Sequence, residues 1–283
     1  MIVDCHTHVG DRSHFSGEFL EDTIRAWGPE ANPARTLEEH WETVAVVDRA
    51  VVLAFAAPRI GFHVPNDYVA AYVAEHPEKL VGFASVDAAD PGAVAELERA
   101  IEGGLRGLKL APTYQGFDPL SPEAFAVYEA AEGLDLPVMW HQGTTFVRTA
   151  ELRWALPLQI DQVALRFPKL RIVIAHMGHP WIDDALVVVR KHPNVYADIS
   201  ALHPRPWQLY NALVSAVEYG VSHKLLFGSD WPFVDLGETF TGLRDVNRFT
   251  EGTALPRVAD EVIEGIIARP TLELLGLESE GPA

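Results

Sequence analysis

Short apolar runs alternate with longer amphipathic stretches along nearly the whole chain. The first run, Ile2-Val3, leads into Asp4-Cys5-His6-Thr7-His8. Side chains in a strand alternate between faces, so His6 and His8 project to one side, two positions apart. After Gly10 a polar segment with scattered Gly and Pro carries Arg12, His14, Phe15, Phe19 and Trp27 as far as Pro33. Thr36-Leu37-Glu38-Glu39 is a capping box, Thr with Glu three residues on, and the helix it opens sets Trp41, Val44 and Val47 at helical spacing. Residues 50–56 read as a second strand. Asn66 caps a helix through Tyr68, Val69 and Tyr72 that stops before Pro77, and residues 80–86 form the third strand. The unit then repeats. Asp90-Pro91 opens a helix with Pro in its first turn, Gly103-Gly104 closes it, and residues 105–110 are the fourth strand. Ser121-Pro122 and Gly133 bracket the next helix. Strands over 136–141, 170–176, 194–200 and 224–229 follow, separated by helical stretches over 152–167, 181–191 and 207–219.

Eight strands alternating with helices predict a parallel sheet, and eight such units in a chain of 283 residues predict an α/β (β/α)8 TIM barrel in one domain, 1–283. The stretch over 11–35 is too long for a plain connection and is read as a lid loop beside the first strand. The tail, 276–283, shows no core-forming pattern.

Composition narrows the function classes. With 48% hydrophobic and 22% charged residues the chain has ample core. Its formal charge of −18 repels phosphate backbones and no basic patch offsets it, so no nucleic-acid partner is expected. Cys5 is the only cysteine, which excludes an internal disulfide. Met1 leads directly toward Asp4 and the histidines without the basic and apolar regions of a secretory signal, and no apolar run reaches a membrane span. The expectation is a cytoplasmic protein with a small-molecule substrate and no membrane partner.

Active sites of such barrels lie at the C-terminal ends of the strands. His6 and His8 end the first strand, His141 the fifth and His176 the sixth, while Asp230 follows the eighth in Phe227-Gly228-Ser229-Asp230. Any one of these is ordinarily a satisfied polar residue; five at one end of one barrel point to a site. Imidazoles with a carboxylate suit a divalent transition metal.

These motifs, together with Gly107-Leu108-Lys109-Leu110, Ala175-His176-Met177-Gly178 and Gly228-Ser229-Asp230-Trp231-Pro232, closely resemble the amidohydrolase superfamily, in its aminocarboxymuconate-semialdehyde decarboxylase-like branch. The resemblance implies His6, His8, His141 and Asp230 as metal ligands and His176 as a catalytic group beside the metal. It also implies one divalent ion, zinc first with manganese or another transition metal as alternatives, and a homodimer, since relatives are often dimers. Lys109 stands where two-metal relatives carry a carboxylated lysine, so it is a ligand only if the site is binuclear. Near the end, Ala268-Arg269-Pro270-Thr271 replaces the Asn-Ala pair that usually opens the last short helix, leaving that helix in question.

A cation held by three neutral ligands and one carboxylate can lower the pKa of bound water to about 7. Asp230 is then both ligand and proton acceptor, and His176 polarises a carbonyl or shuttles a proton. Arg59, Tyr114 and Arg148, on loops after strands, are candidate substrate-binding residues. Asp198, late in the seventh strand, is a candidate support for a ligand. The first expectation is a metal-dependent hydrolase of a small organic molecule. The alternative is a non-oxidative decarboxylase (carboxy-lyase) of an unsaturated or aromatic acid, and a non-catalytic metal-binding protein is the third reading.

Overall fold

The computed structural model describes residues 1–278. In chain order its strands are β1 (Val3–His8), β2 (Arg49–Leu53), β3 (Phe55–Ala57), β4 (Phe62–Val64), β5 (Leu80–Ser85), β6 (Leu108–Leu110), β7 (Val138–Trp140), β8 (Ile172–Ile174), β9 (Val195–Asp198) and β10 (Leu225–Leu226). β3 and β4 pair with each other, antiparallel, and the other eight form a parallel sheet in the order β1-β2-β5-β6-β7-β8-β9-β10. Backbone bonds bring the two ends of that sheet together: Cys5 N–H donates to Phe227 O at 3.0 Å, Asp230 N–H to His6 O at 2.9 Å and His8 N–H to Trp231 O at 2.7 Å. The result is the (β/α)8 barrel that the alternation of elements predicts.

Two apolar clusters follow from the period of two along each strand. One side of every strand packs on the helices outside. The other fills the barrel, where Val3, Cys5, Val51, Leu53, Val81, Phe83, Met139, Val173 and Leu226 meet one another. Leu272, Leu275 and Leu277 join this inner cluster from the short helix Thr271–Leu274 and the turn after it. That helix forms despite the unusual residues before it. The Arg269 side chain bonds the carbonyls of Leu225 and Ser222, each at 3.2 Å.

β1 does not keep strict alternation. Its register against β2 slips between Asp4, opposite Ala50, and Thr7, opposite Val52. Three residues on one strand thus span two on the other, a bulge that turns His6 onto the same side as Cys5. Without the slip, Val3 and Cys5 inside the barrel would put His6 and His8 outside it. The bulge is held by Asp4, whose carboxylate accepts from His6 N–H at 3.1 Å, Ser229 N–H at 3.0 Å and Ser229 Oγ at 2.6 Å. Burial raises the pKa of Asp4 to about 7 against these hydrogen bonds, which lower it.

Other expectations need adjusting. The strand expected over 50–56 ends at Leu53, and Phe55–Ala57 leaves the barrel to form the β3–β4 hairpin. The segment over 11–35 is not a plain loop. Ser16 accepts from Phe19 N–H and caps a helix, α1 (Gly17–Trp27), whose Phe19 is buried. Of the tail, Leu277 is buried in the inner cluster, while 279–283 lie outside the described residues. Among the described residues no helix is long and apolar enough to cross a membrane.

Candidate active site

At the C-terminal end of the barrel a cavity of about 220 Å³ is lined by His6, His8, Lys109, Tyr114, His141, His176 and Asp230. The β3–β4 hairpin adds Phe55 and Phe62, α1 adds Phe19, Ala26 and Trp27, and later loops add Phe146, Phe233, His179 and Arg205. The site is therefore a polar floor with aromatic walls.

Two of its residues leave their strands through left-handed backbone. His176 has φ 56° and Asp230 φ 73°, conformations that cost a non-glycine residue energy and are kept where the surroundings fix them. Gly228 makes the second turn fit, since a Cβ there would lie 3.0 Å from His6 Cβ and 3.3 Å from Cys5 Sγ. The C-terminal end of β10 thus presses against β1 and delivers Asp230 to the histidine pair.

His6, His8 and Asp230 form one compact trio. Asp230 Oδ1 lies 3.4 Å from His6 Nε2 and 3.6 Å from His8 Nε2. Bonds of about 2.0–2.2 Å at tetrahedral angles separate neighbouring donor atoms by about 3.3–3.6 Å, so these spacings suit three ligands of one small divalent ion. His141 does not join that trio, although its buried Nε2 has no hydrogen-bond partner and its ring lies 5.2 Å from that of His176 in the same cavity. An unpaired buried nitrogen in the same cavity is available as a further ligand. The donor set therefore fits a divalent metal.

Hydrogen bonds fix which nitrogens are free. Asp198 Oδ2 accepts from His6 Nδ1 at 2.9 Å, which leaves a lone pair on His6 Nε2 for the trio. Asp198 Oδ1 accepts from His176 N–H at 2.9 Å, from Ser200 N–H at 3.0 Å and from Ser200 Oγ–H. With its own proton committed to Asp198, Ser200 Oγ accepts from His176 Nδ1 at 2.7 Å. His176 then turns an Nε2 lone pair toward the cavity. Burial above all lowers the pKa of His176 to about 3, so the ring is neutral near pH 7. Lys109 Nζ sits 3.2 Å from His6 Nε2, fully buried, and desolvation lowers its pKa to about 8 against the pull of Asp230 and Asp198. Burial pushes Asp230 upward, with the Lys109 ammonium opposing that shift.

The candidate substrate-binding residues separate. Tyr114 lines the cavity, its ring 4.6 Å from that of His141. Arg59 and Arg148 do not. They border a groove outside α1, where Arg59 reaches Glu151 at 3.4 Å and Arg148 Nε reaches Asp22 at 2.5 Å. The arginine that does line the cavity, Arg205, escapes sequence reading because it stands between two prolines in a loop with no periodicity. Asp4 and Ser200 escape it too, since neither carries a motif. His40 serves packing: it is buried between Tyr72 Oη at 2.8 Å and Thr7 Oγ1 at 3.0 Å.

Residues 3–266 match the family model described as Amidohydrolase. The chain belongs to the amidohydrolase family. A curated relative, the gamma-resorcylate decarboxylase of Polaromonas sp. (strain JS666 / ATCC BAA-500), is 24% identical over 224 residues, 60% of this chain and 65% of that protein. The chain thus matches just under two thirds of that relative's length. Solved structures share the barrel along its whole length. An uncharacterized TIM-barrel protein, Bb4693 of Bordetella bronchiseptica, has a TM-score of 0.77 at 22% identity, covering 98% of each chain. A probable 2-pyrone-4,6-dicarboxylic acid hydrolase of Acinetobacter baumannii with citric acid bound has a TM-score of 0.69 at 16% identity, covering 97% of this chain and 99% of the other. A dihydroxybenzoic acid decarboxylase of Polaromonas sp. JS666, with bound manganese and the inhibitor 2-nitroresorcinol, has a TM-score of 0.64 at 17% identity, covering 98% and 97%.

Proposed function

We propose that this amidohydrolase is a metal-dependent non-oxidative decarboxylase of an aromatic carboxylic acid. The observation that carries the reading is the cavity itself, in which a His/Asp metal trio is enclosed by rings from Phe19, Trp27, Phe55, Phe62, Phe146 and Phe233. A flat aromatic acid matches those walls, and the decarboxylase among the curated relatives supports it. Hydrolysis, which the residue types alone put first, becomes the second reading. It keeps one specific support, the similar fold of the pyrone hydrolase.

His6, His8 and Asp230 would hold the ion, with His141 as fourth ligand. When bound, the metal supplies positive charge that orients an acidic substrate and stabilises negative charge developing on it. Zinc and manganese both suit this donor set. The remaining work falls to the chain. The aromatic walls exclude water and fix the ring plane. His176 Nε2 accepts a hydrogen bond or proton from a substrate hydroxyl, its tautomer set by Ser200 and Asp198. Asp230 carries the proton that the substrate carbon receives as the bond to the carboxylate breaks; that bond's electron pair stays on the ring carbon and carbon dioxide leaves.

Incubation of manganese- or zinc-loaded protein with hydroxylated benzoic acids should release carbon dioxide and the matching phenol in equal amounts. In deuterated water one deuterium should appear on the ring carbon. Ring opening or ester cleavage without carbon dioxide, across the same panel extended to lactones, would replace this reading with the hydrolase.

A further inference from the structure

We propose that Arg205, stacked on Trp27, is an anion-binding residue of this cavity, and that the substrate is an aromatic acid bearing a second anionic group distinct from the one that reacts. The inference rests on the decarboxylase reading only for which group reacts.

Arg205 follows β9, directly before the helix Pro206–Glu218. Its guanidinium carbon lies 5.3 Å from the centre of the Trp27 ring, and Nη1 donates to Ala201 O at 3.0 Å. A guanidinium has five N–H donors, so most remain for another partner. Among the described residues no carboxylate comes within 4 Å of it; other arginines share that, but Arg205 is the arginine among the described residues that lines the cavity. The chain has 40 acidic residues against 22 basic ones, so acidic partners are in surplus. An arginine left without one, half-buried in a cavity wall, is placed to meet a charge that comes from outside.

The surroundings agree. Burial lowers the pKa of Arg205, with Asp230 opposing, so the two charges act on each other across the cavity without touching. Neighbouring His179 has its pKa lowered to about 4, by burial first and then by Arg205, so it adds a hydrogen-bonding group and no competing cation near pH 7. The cavity thus has two separate polar poles. The trio of His6, His8 and Asp230 comes from β1 and the end of β10, and Arg205 comes from the loop after β9 with Trp27 of α1 behind it. Aromatic rings, Phe55, Phe62, Phe146 and Phe233 among them, line the same cavity. A rigid ring with acidic groups at two positions spans such a site, and the planar fork of arginine matches a carboxylate. Because Trp27 belongs to α1, the same contact ties recognition of the second group to the position of that helix.

The test is calorimetric titration of the metal-loaded protein with benzoate and with benzene-1,3-dicarboxylate, for the parent, Arg205→Met and Arg205→Lys. The parent should bind the dicarboxylate more tightly than benzoate by on the order of tenfold to a hundredfold, the range expected for a charge-assisted hydrogen bond. Arg205→Met should bring the two ligands within about twofold of each other. Arg205→Lys, which keeps the charge and loses the fork, should fall between. A parent without preference, or a preference that survives in folded Arg205→Met, overturns the proposal. Carbon dioxide release is measured separately. A protein that keeps the Arg205-dependent preference and releases none refutes the decarboxylase while leaving this subsite standing.

Discussion

Replacing Asp198 by Asn tests the hydrogen-bond scheme at its centre. The Asp198 carboxylate is fully buried and accepts from four donors, His6 Nδ1–H on one oxygen and His176 N–H, Ser200 N–H and Ser200 Oγ–H on the other. An amide must turn its NH2 toward one of these sets. Facing three donors costs more than facing one, so the NH2 turns to His6. Two donors then oppose each other unless His6 changes tautomer, placing its proton on Nε2, the nitrogen that the trio needs as a lone pair. Partners that orient a ligating histidine are typically worth about 10–100-fold in metal affinity, or about 1.4–2.7 kcal/mol. Loss of a buried charged acceptor adds about 1.5–3 kcal/mol to the cost in stability. Chelator competition with zinc and with manganese measures the first effect, and urea unfolding of the metal-free protein the second. A variant that folds and binds both metals within twofold of the parent refutes the assignment of Nε2 as the ligand atom.

Three further outcomes follow from the geometry. Asp230→Asn should keep the fold, reduce metal affinity and lower turnover by about 10²–10⁴-fold, and parent-like turnover would remove Asp230 from the site. His40, with its pKa lowered by burial to about 3, stays neutral in the folded chain while the unfolded chain protonates below its ordinary value of 6.5. Its contribution is therefore present above pH 6.5 and lost as pH falls toward 3, at about 1.4 kcal/mol per pH unit within that window. His40→Gln should flatten the acid limb of a stability-against-pH curve by about that slope, and an unchanged limb would refute this. Asp22 joins α1 to the loop after β7 by accepting from Arg148 N–H at 3.0 Å and from the Arg148 and Arg25 side chains. Since both arginines are more than half exposed, Asp22→Asn should cost only about 1 kcal/mol or less in stability. It should nonetheless speed hydrogen exchange across α1, and unchanged exchange would mean the helix is held by Phe19 and Trp27 alone.

The barrel was legible because its evidence is spread over the whole chain: eight apolar runs with amphipathic stretches between them leave few other folds. The polar floor was legible for a narrower reason. His6, His8, His141, His176 and Asp230 all stand at strand ends, and the barrel brings strand ends together whatever the details. What the sequence does not carry is everything set by a slip or a turn. Alternation places His6 and His8 on one face, but counting from Val3 and Cys5 it names the wrong one; only the bulge opposite Ala50 and Val52, pinned by Asp4, turns them inward. The arginines show the same limit. Arg59 and Arg148 stand after strands just as Arg205 does, yet α1 lies between those two and the cavity, and its Asp22 takes the charge of Arg148. The helix itself is legible, with Ser16 as cap and Phe19, Leu20, Ile24 and Trp27 at helical spacing, but the order of residues does not reveal that it crosses there. Which of these arginines faces the cavity is thus decided by the element laid over the barrel's mouth, by α1 as much as by the strands.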